Sequence, residues 1–140
     1  MYQNELVNPM RAELSSIGVQ ELLTAKDVDQ WMQEKTGTAL LVVNSVCGCA
    51  AGSARPGVRL ALEGSVKPQR IATVFAGQDK EATDRARSYF SDYPPSSPSL
   101  ALVKDGVVVE FVPRHQIEGR DAATVANALK AIFAKHCAGA

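Results

Sequence analysis

The chain has 140 residues, 46% of them hydrophobic, which is enough apolar material for one domain (residues 1–140) with a packed core. Fifteen Lys and Arg balance fifteen Asp and Glu, so the zero formal net charge gives no electrostatic support for a nucleic-acid or anionic-membrane partner. No apolar run approaches the ~20 residues that span a bilayer, and the first ten residues carry Glu5 and polar groups where a secretory leader would be apolar, so the expected location is the cytoplasm.

Asn8-Pro9 opens the first predicted helix, because Asn caps well and Pro suits the first helical position; it runs over residues 8–16 and stops at Gly18. A short strand is expected over residues 19–23. Thr24 then caps a second helix, with Asp27 three residues on and Val28, Trp31 and Met32 on one face, ending at Gly37. Residues 38–43 (TALLVV) are apolar almost throughout, the pattern of a strand buried on both faces. Residues 50–63 are alanine-rich and read as a helix, with a kink or break expected at Pro56-Gly57. A second buried strand covers residues 70–75, a turn follows at Gly77-Gln78-Asp79, and a helix is expected over residues 80–93. Residues 94–98 (PPSSP) form a rigid loop. Two strands over 99–103 and 107–112 flank Lys104-Asp105-Gly106, and Asp-Gly between apolar runs signals a hairpin. The last helix spans residues 121–135. Helices between the early strands imply parallel crossovers, so the predicted fold class is α/β: a mixed central sheet flanked by helices on both faces.

Cys47-Gly48-Cys49 lies where the first buried strand meets a helix. Unpaired N–H groups and the positive end of the dipole at a helix N-terminus stabilise a thiolate, the reactive form of cysteine. Gly48 removes side-chain bulk between the two sulfurs and frees the backbone. Two residues of extended chain span at most ~7 Å between Cα atoms, and a disulfide needs roughly 4.4–6.8 Å, so a partly turned backbone can close the pair. The small ring is expected to be easily reduced. Inert packing is one competing reading; tetrahedral zinc, with His136 and Cys137 supplying two further ligands, is another.

Pro98 precedes the hairpin, and in isolation Ser97-Pro98 is an ordinary turn whose peptide bond is mostly trans. The whole layout resembles thioredoxin, whose cysteine motif faces a cis-proline that opens a hairpin. Five pieces give a closer resemblance, to the bacilliredoxin family of small bacterial proteins: residues 42–52 (VVNSVCGCAAG), 74–83 (VFAGQDKEAT), 96–102 (SSPSLAL) and 111–119 (FVPRHQIEG), and the closing His136-Cys137. That resemblance implies a thioredoxin-like fold and thiol–disulfide exchange resembling that of glutaredoxins. The task implied is removal of the low-molecular-weight thiol bacillithiol from mixed disulfides on proteins. It also implies weak disulfide isomerase or reductase activity, no tightly bound cofactor, and bacillithiol as cosubstrate. Cys47 would attack, Cys49 would resolve, and Ser97 with a cis Pro98 would face the substrate disulfide. The expected partners are S-bacillithiolated or disulfide-containing proteins; the sequence assigns no oligomeric state.

Ligands of parallel sheets bind at the carboxyl ends of strands, so Gln78, Asp79 and Lys80 are candidates for a thiol-binding groove, with a solvated turn and helix cap as the equal alternative. Arg55 is expected to be a solvated helix residue rather than a charge beside the thiolate. His115 reads as a surface or capping residue, and Cys137 as an exposed bystander near a frayed helix end. A general protein disulfide isomerase is the runner-up function. A metal-binding or adaptor domain using the Cys-Gly-Cys loop is the alternative of a different class.

Overall fold

A computed structural model describes residues 1–138. In chain order it contains α1 (Asn4–Ser15), β1 (Gln20–Glu21), α2 (Ala25–Gln33), β2 (Thr38–Asn44), a π-helical turn (Ala50–Ala54), α3 (Arg55–Ala61), β3 (Arg70–Phe75), α4 (Lys80–Ser88), β4 (Ser99–Lys104), β5 (Val107–Val112), a 3₁₀ turn (Arg114–Gln116) and α5 (Ala122–His136). The strands form one sheet in the order β1-β3-β2-β4-β5. β3 runs parallel to both β1 and β2, while β4 is antiparallel to β2 and to β5.

Every residue of β2 is buried, as its apolar run requires. Successive side chains point to opposite faces of a sheet. Leu40 and Val42 therefore join Leu14 of α1, Val58 of α3 and Leu129 and Phe133 of α5 in one core. Ala39, Leu41 and Val43 join Val28 and Trp31 of α2 and Ala82 and Ala86 of α4 in the other. α3 and α5 approach so closely that a Cβ on Gly57 would lie 2.6 Å from Cγ1 of Val125, so glycine is required there. The β4–β5 hairpin turns at Asp105 and Gly106, with φ of +51° and +85°, the conformation that Asp-Gly favours.

Several boundaries differ from those the sequence suggests. α1 starts at Asn4 and carries Pro9 inside it rather than at its start. The extra turn is held by tertiary contacts: Val7 is fully buried, and the Gln78 side-chain amide pairs with both the N–H and the C=O of Tyr2. α2 keeps its predicted cap, Thr24 Oγ1 accepting from the Asp27 N–H, but stops at Gln33. There Arg70 takes over the free carbonyls, donating to Trp31 O at 2.8 Å and to Glu34 O, with its guanidinium 4.8 Å over the Trp31 ring. α4 ends at Ser88 because the following residues leave the helix to pack on β5: Phe90 is buried, and Tyr93 stacks on Phe111 at 4.5 Å. Pro56-Gly57 does not break the third helix, which is continuous over residues 48–61. The π-helical turn just before it, with the Arg55 N–H bonded to Ala50 O, absorbs the mismatch, and Pro56 sits in the first turn of α3, where its missing N–H matters least.

Candidate active site

β2 ends at Asn44, and the chain turns through Ser45 and Val46 into Cys47. The Cys47 carbonyl accepts the N–H groups of Ala50 and Ala51 at 3.0 and 3.2 Å, which places Cys47 at the N-terminal end of the helix that continues into α3. Cys47 and Cys49 are half-buried and Gly48 is exposed, so solvent reaches the pair from the glycine side. The two cysteines are bridged, with Cα atoms 5.5 Å apart, inside the range a disulfide requires. Their backbone is held from below: the Ser45 N–H donates to Asn44 Oδ1 at 2.8 Å, and the Cys47 N–H donates to Ser45 Oγ at 3.3 Å.

The Ser97–Pro98 peptide bond is cis. Ser99, the next residue, pairs with Val43, which brings Pro98 to the same end of the sheet as the cysteines. The loop is anchored through Ser96, whose carbonyl accepts from Ser99 Oγ at 2.9 Å and Arg87 Nη2 at 3.2 Å. Beside it opens a groove of about 580 Å³ walled by Tyr93, Pro95, Phe111 and Pro113, with His115 on its rim. His115 is exposed on the 3₁₀ turn, as its position in the sequence suggests.

Phe75 pairs with Asn44, so the connection after β3 also reaches this end. Its side chains hold the fold together. Gln78 is buried against Tyr2; Asp79 forms a two-point ion pair with Arg11 at 2.7 and 3.0 Å; Lys80 is exposed and meets Asp84 at 2.6 Å.

Two residues lie elsewhere than expected. Arg55 is not solvated: it is 2% exposed and donates from Nη1 to Asn44 Oδ1 at 2.9 Å and to Ser45 O at 2.8 Å, directly under the cysteine turn. An arginine in an alanine-rich helix reads as a surface residue; its burial depends on Asn44, eleven positions earlier on another element. Cys137 is not frayed or exposed: it is buried in the core beside Phe133 and Leu129. Its thiol lies near the Thr38 side chain at the start of β2. Cys47 lies beyond the other end of that seven-residue strand, roughly 20 Å away at ~3.3 Å per residue. Cys137 therefore cannot exchange with the Cys47–Cys49 pair or complete a metal site with it. Neighbouring His136 is engaged by Glu110 at 3.0 Å. Burial pushes the Cys137 thiol above the ordinary range, with the Thr38 side chain and the charge of Lys104 acting in the opposite sense. A raised value means less thiolate at neutral pH. In the reduced native protein, iodoacetamide at pH 7.5 is expected to label Cys47 while Cys137 stays unmodified until denaturant is added, as read by peptide mass spectrometry.

Among the described residues no helix is long and apolar enough to cross a membrane. The profile of a family described as "Disulphide isomerase" matches residues 2–137. A bacilliredoxin of Staphylococcus epidermidis is 55% identical over 137 residues, covering 98% of this chain and 94% of its own length. One from Staphylococcus aureus is 54% identical with the same coverage. Among solved structures, Fasciola hepatica thioredoxin superposes with a TM-score of 0.59 at 21% identity, over 84% of this chain and 99% of its own. Schistosoma mansoni thioredoxin does so with a TM-score of 0.57 at 18% identity, over 84% and 97%. At those identities the likeness establishes the thioredoxin fold. A thioredoxin fold with adjacent cysteines at a helix start, taken with more than half the sequence shared with bacilliredoxins, leads to one conclusion: this chain belongs to the bacilliredoxin family and is a thiol–disulfide oxidoreductase.

Proposed function

We propose that this enzyme removes bacillithiol from mixed disulfides on proteins of the cytoplasm, with Cys47 as the attacking cysteine and Cys49 as the resolving one. The observation that carries the assignment is the place of Cys47 at the N-terminal end of a helix, with its carbonyl already engaged by Ala50 and Ala51. The free N–H groups there favour a thiolate. Cys49 lies two residues further into the helix, within bridging distance of Cys47.

In the first step the Cys47 thiolate attacks the bacillithiol sulfur of the modified protein. The mixed disulfide breaks, Cys47 carries bacillithiol, and the protein leaves as a thiolate that takes up a proton. In the second step the Cys49 thiolate attacks Cys47 Sγ, closing the Cys47–Cys49 disulfide and releasing bacillithiol as its thiolate. Two further thiols return the pair to the dithiol, supplying two electrons and ending as a disulfide. Each step exchanges one S–S bond for another. Gly48 leaves the approach to the sulfurs open. Ser97 and Pro98 face the incoming disulfide, and the apolar groove beside them receives the polypeptide around it. Gln78, Asp79 and Lys80 border the site by position and contribute through the surfaces that Tyr2, Arg11 and Asp84 leave free.

The test uses the Cys49→Ser variant mixed with a bacillithiolated protein. The expected result is an adduct of bacillithiol mass on Cys47 and an equal loss from the substrate, both read by mass spectrometry. An absent adduct, with the unaltered enzyme still reshuffling scrambled protein disulfides, would assign the chain to general disulfide isomerisation, the activity for which the matching family is described.

A further inference from the structure

Arg55 is among the largest fully buried side chains of the protein, and it is buried where the chemistry is. Its Nη1 donates to two acceptors at once, Asn44 Oδ1 and Ser45 O. Asn44 Oδ1 also accepts the Ser45 N–H, and Ser45 Oγ accepts the Cys47 N–H. The guanidinium is thus joined through two residues to the backbone of the attacking cysteine. The carboxylate nearest Arg55 is Glu13 of α1, with Oε1 3.1 Å from Nε, although that N–H is poorly aimed at it. Glu13 is 46% exposed and pairs with the buried guanidinium, offsetting part of its charge.

The π-helical turn lies between Cys49 and Arg55. One extra residue in a helical turn rotates everything after it by about 100°, so this turn sets the angular relation between the cysteines and Arg55. The other elements packed at this end of the sheet bring Arg11 of α1, Asp79 and Lys80 after β3, and Arg114, His115 and Arg120 between β5 and α5. Arg11 and Asp79 pair with each other, Lys80 with Asp84, and Arg114 with Glu118. Among the described residues, Arg55 is the charged side chain that hydrogen-bonds the segment from Asn44 to Cys47.

We propose that Arg55 is a positioning residue for thiol–disulfide exchange: it clamps the Asn44–Ser45 turn beneath Cys47 and supplies a buried, permanent positive charge that favours the Cys47 thiolate, tempered by Glu13. A guanidinium keeps its charge throughout the range in which thiols titrate, and the low-dielectric surroundings strengthen its effect on a nearby anion. The proposal rests on Cys47 as the attacking group.

The experiment follows the rate of iodoacetamide alkylation of Cys47 against pH in a Cys49→Ser background, which needs no bacillithiol and therefore does not depend on the substrate assignment. In Arg55→Gln the midpoint is expected to rise by about one pH unit, so alkylation below both midpoints slows about tenfold. In Arg55→Lys, which keeps the charge, at least half of that shift is expected to be recovered. In Glu13→Gln the midpoint is expected to fall by about half a unit, a roughly threefold gain in rate at low pH. A scaffold role alone gives no downward shift in Glu13→Gln. If Arg55→Gln does not fold, Glu13→Gln alone decides: a profile matching that of its parent overturns the proposal. Equal midpoints in folded Arg55→Gln and its parent overturn it as well.

Discussion

Cys47→Ser is expected to lower the exchange rate by on the order of 10³-fold or more, to the level of the uncatalysed reaction. The hydroxyl that replaces the thiol is a far weaker nucleophile at neutral pH and cannot form the mixed disulfide through which every later step passes. The fold should be untouched, because Cys47 is only half-buried and the helix start is held by its backbone carbonyl rather than its sulfur. A release assay with a bacillithiolated protein, paired with thermal melts of both proteins, checks this. Retained turnover in Cys47→Ser would make Cys49 the attacking residue and reverse the mechanism proposed above.

Phe133→Ala is expected to destabilise the protein by about 3–5 kcal/mol, lowering the melting temperature by roughly 10–20 °C. Phe133 has no exposure and sits on α5 in the core shared with Leu14, Val58, Leu100 and Leu129. Removing the ring leaves a cavity in that core, which the surrounding close-packed side chains can fill only in part. Because α3 continues the helix that starts at Cys47, loss of activity should track the unfolded fraction: near-normal exchange at 15 °C and early loss on heating. Urea unfolding followed by circular dichroism measures the stability change. A shift below about 1 kcal/mol would mean that the site repacks more freely than this geometry permits.

Local rules written in neighbouring residues carried most of the architecture. The apolar run at residues 38–43 suited a strand buried on both faces, because an edge or half-exposed strand alternates polar with apolar residues, and β2 is that strand. Asp105-Gly106 announced the hairpin, since both positions have positive φ and these residues accept it. Thr24 marked a helix start through the short-range bond that its side chain makes to the Asp27 N–H. The place of the cysteine pair was equally legible, because Cys-Gly-Cys at a strand–helix junction brings two sulfurs and a helix end together within three residues.

What the sequence did not disclose depends on residues far apart in the chain. The early start of α1 needs Gln78, which clamps Tyr2 across 76 positions. The end of α2 needs Arg70, 39 positions from the Trp31 carbonyl it bonds. The unbroken helix through Pro56 needs a π-helical turn that no periodicity signals, because the turn changes the period itself. Cys137 closes a helix that looks frayed in sequence, yet it is buried in the core shared by α1, α3 and α5. Arg55 looks solvated until β2 delivers Asn44 and Ser45 to it. Capping, turn type and strand burial are decided within a few residues. Burial of a charge or a thiol is decided by which distant partner arrives to satisfy it, and only the tertiary structure settles that.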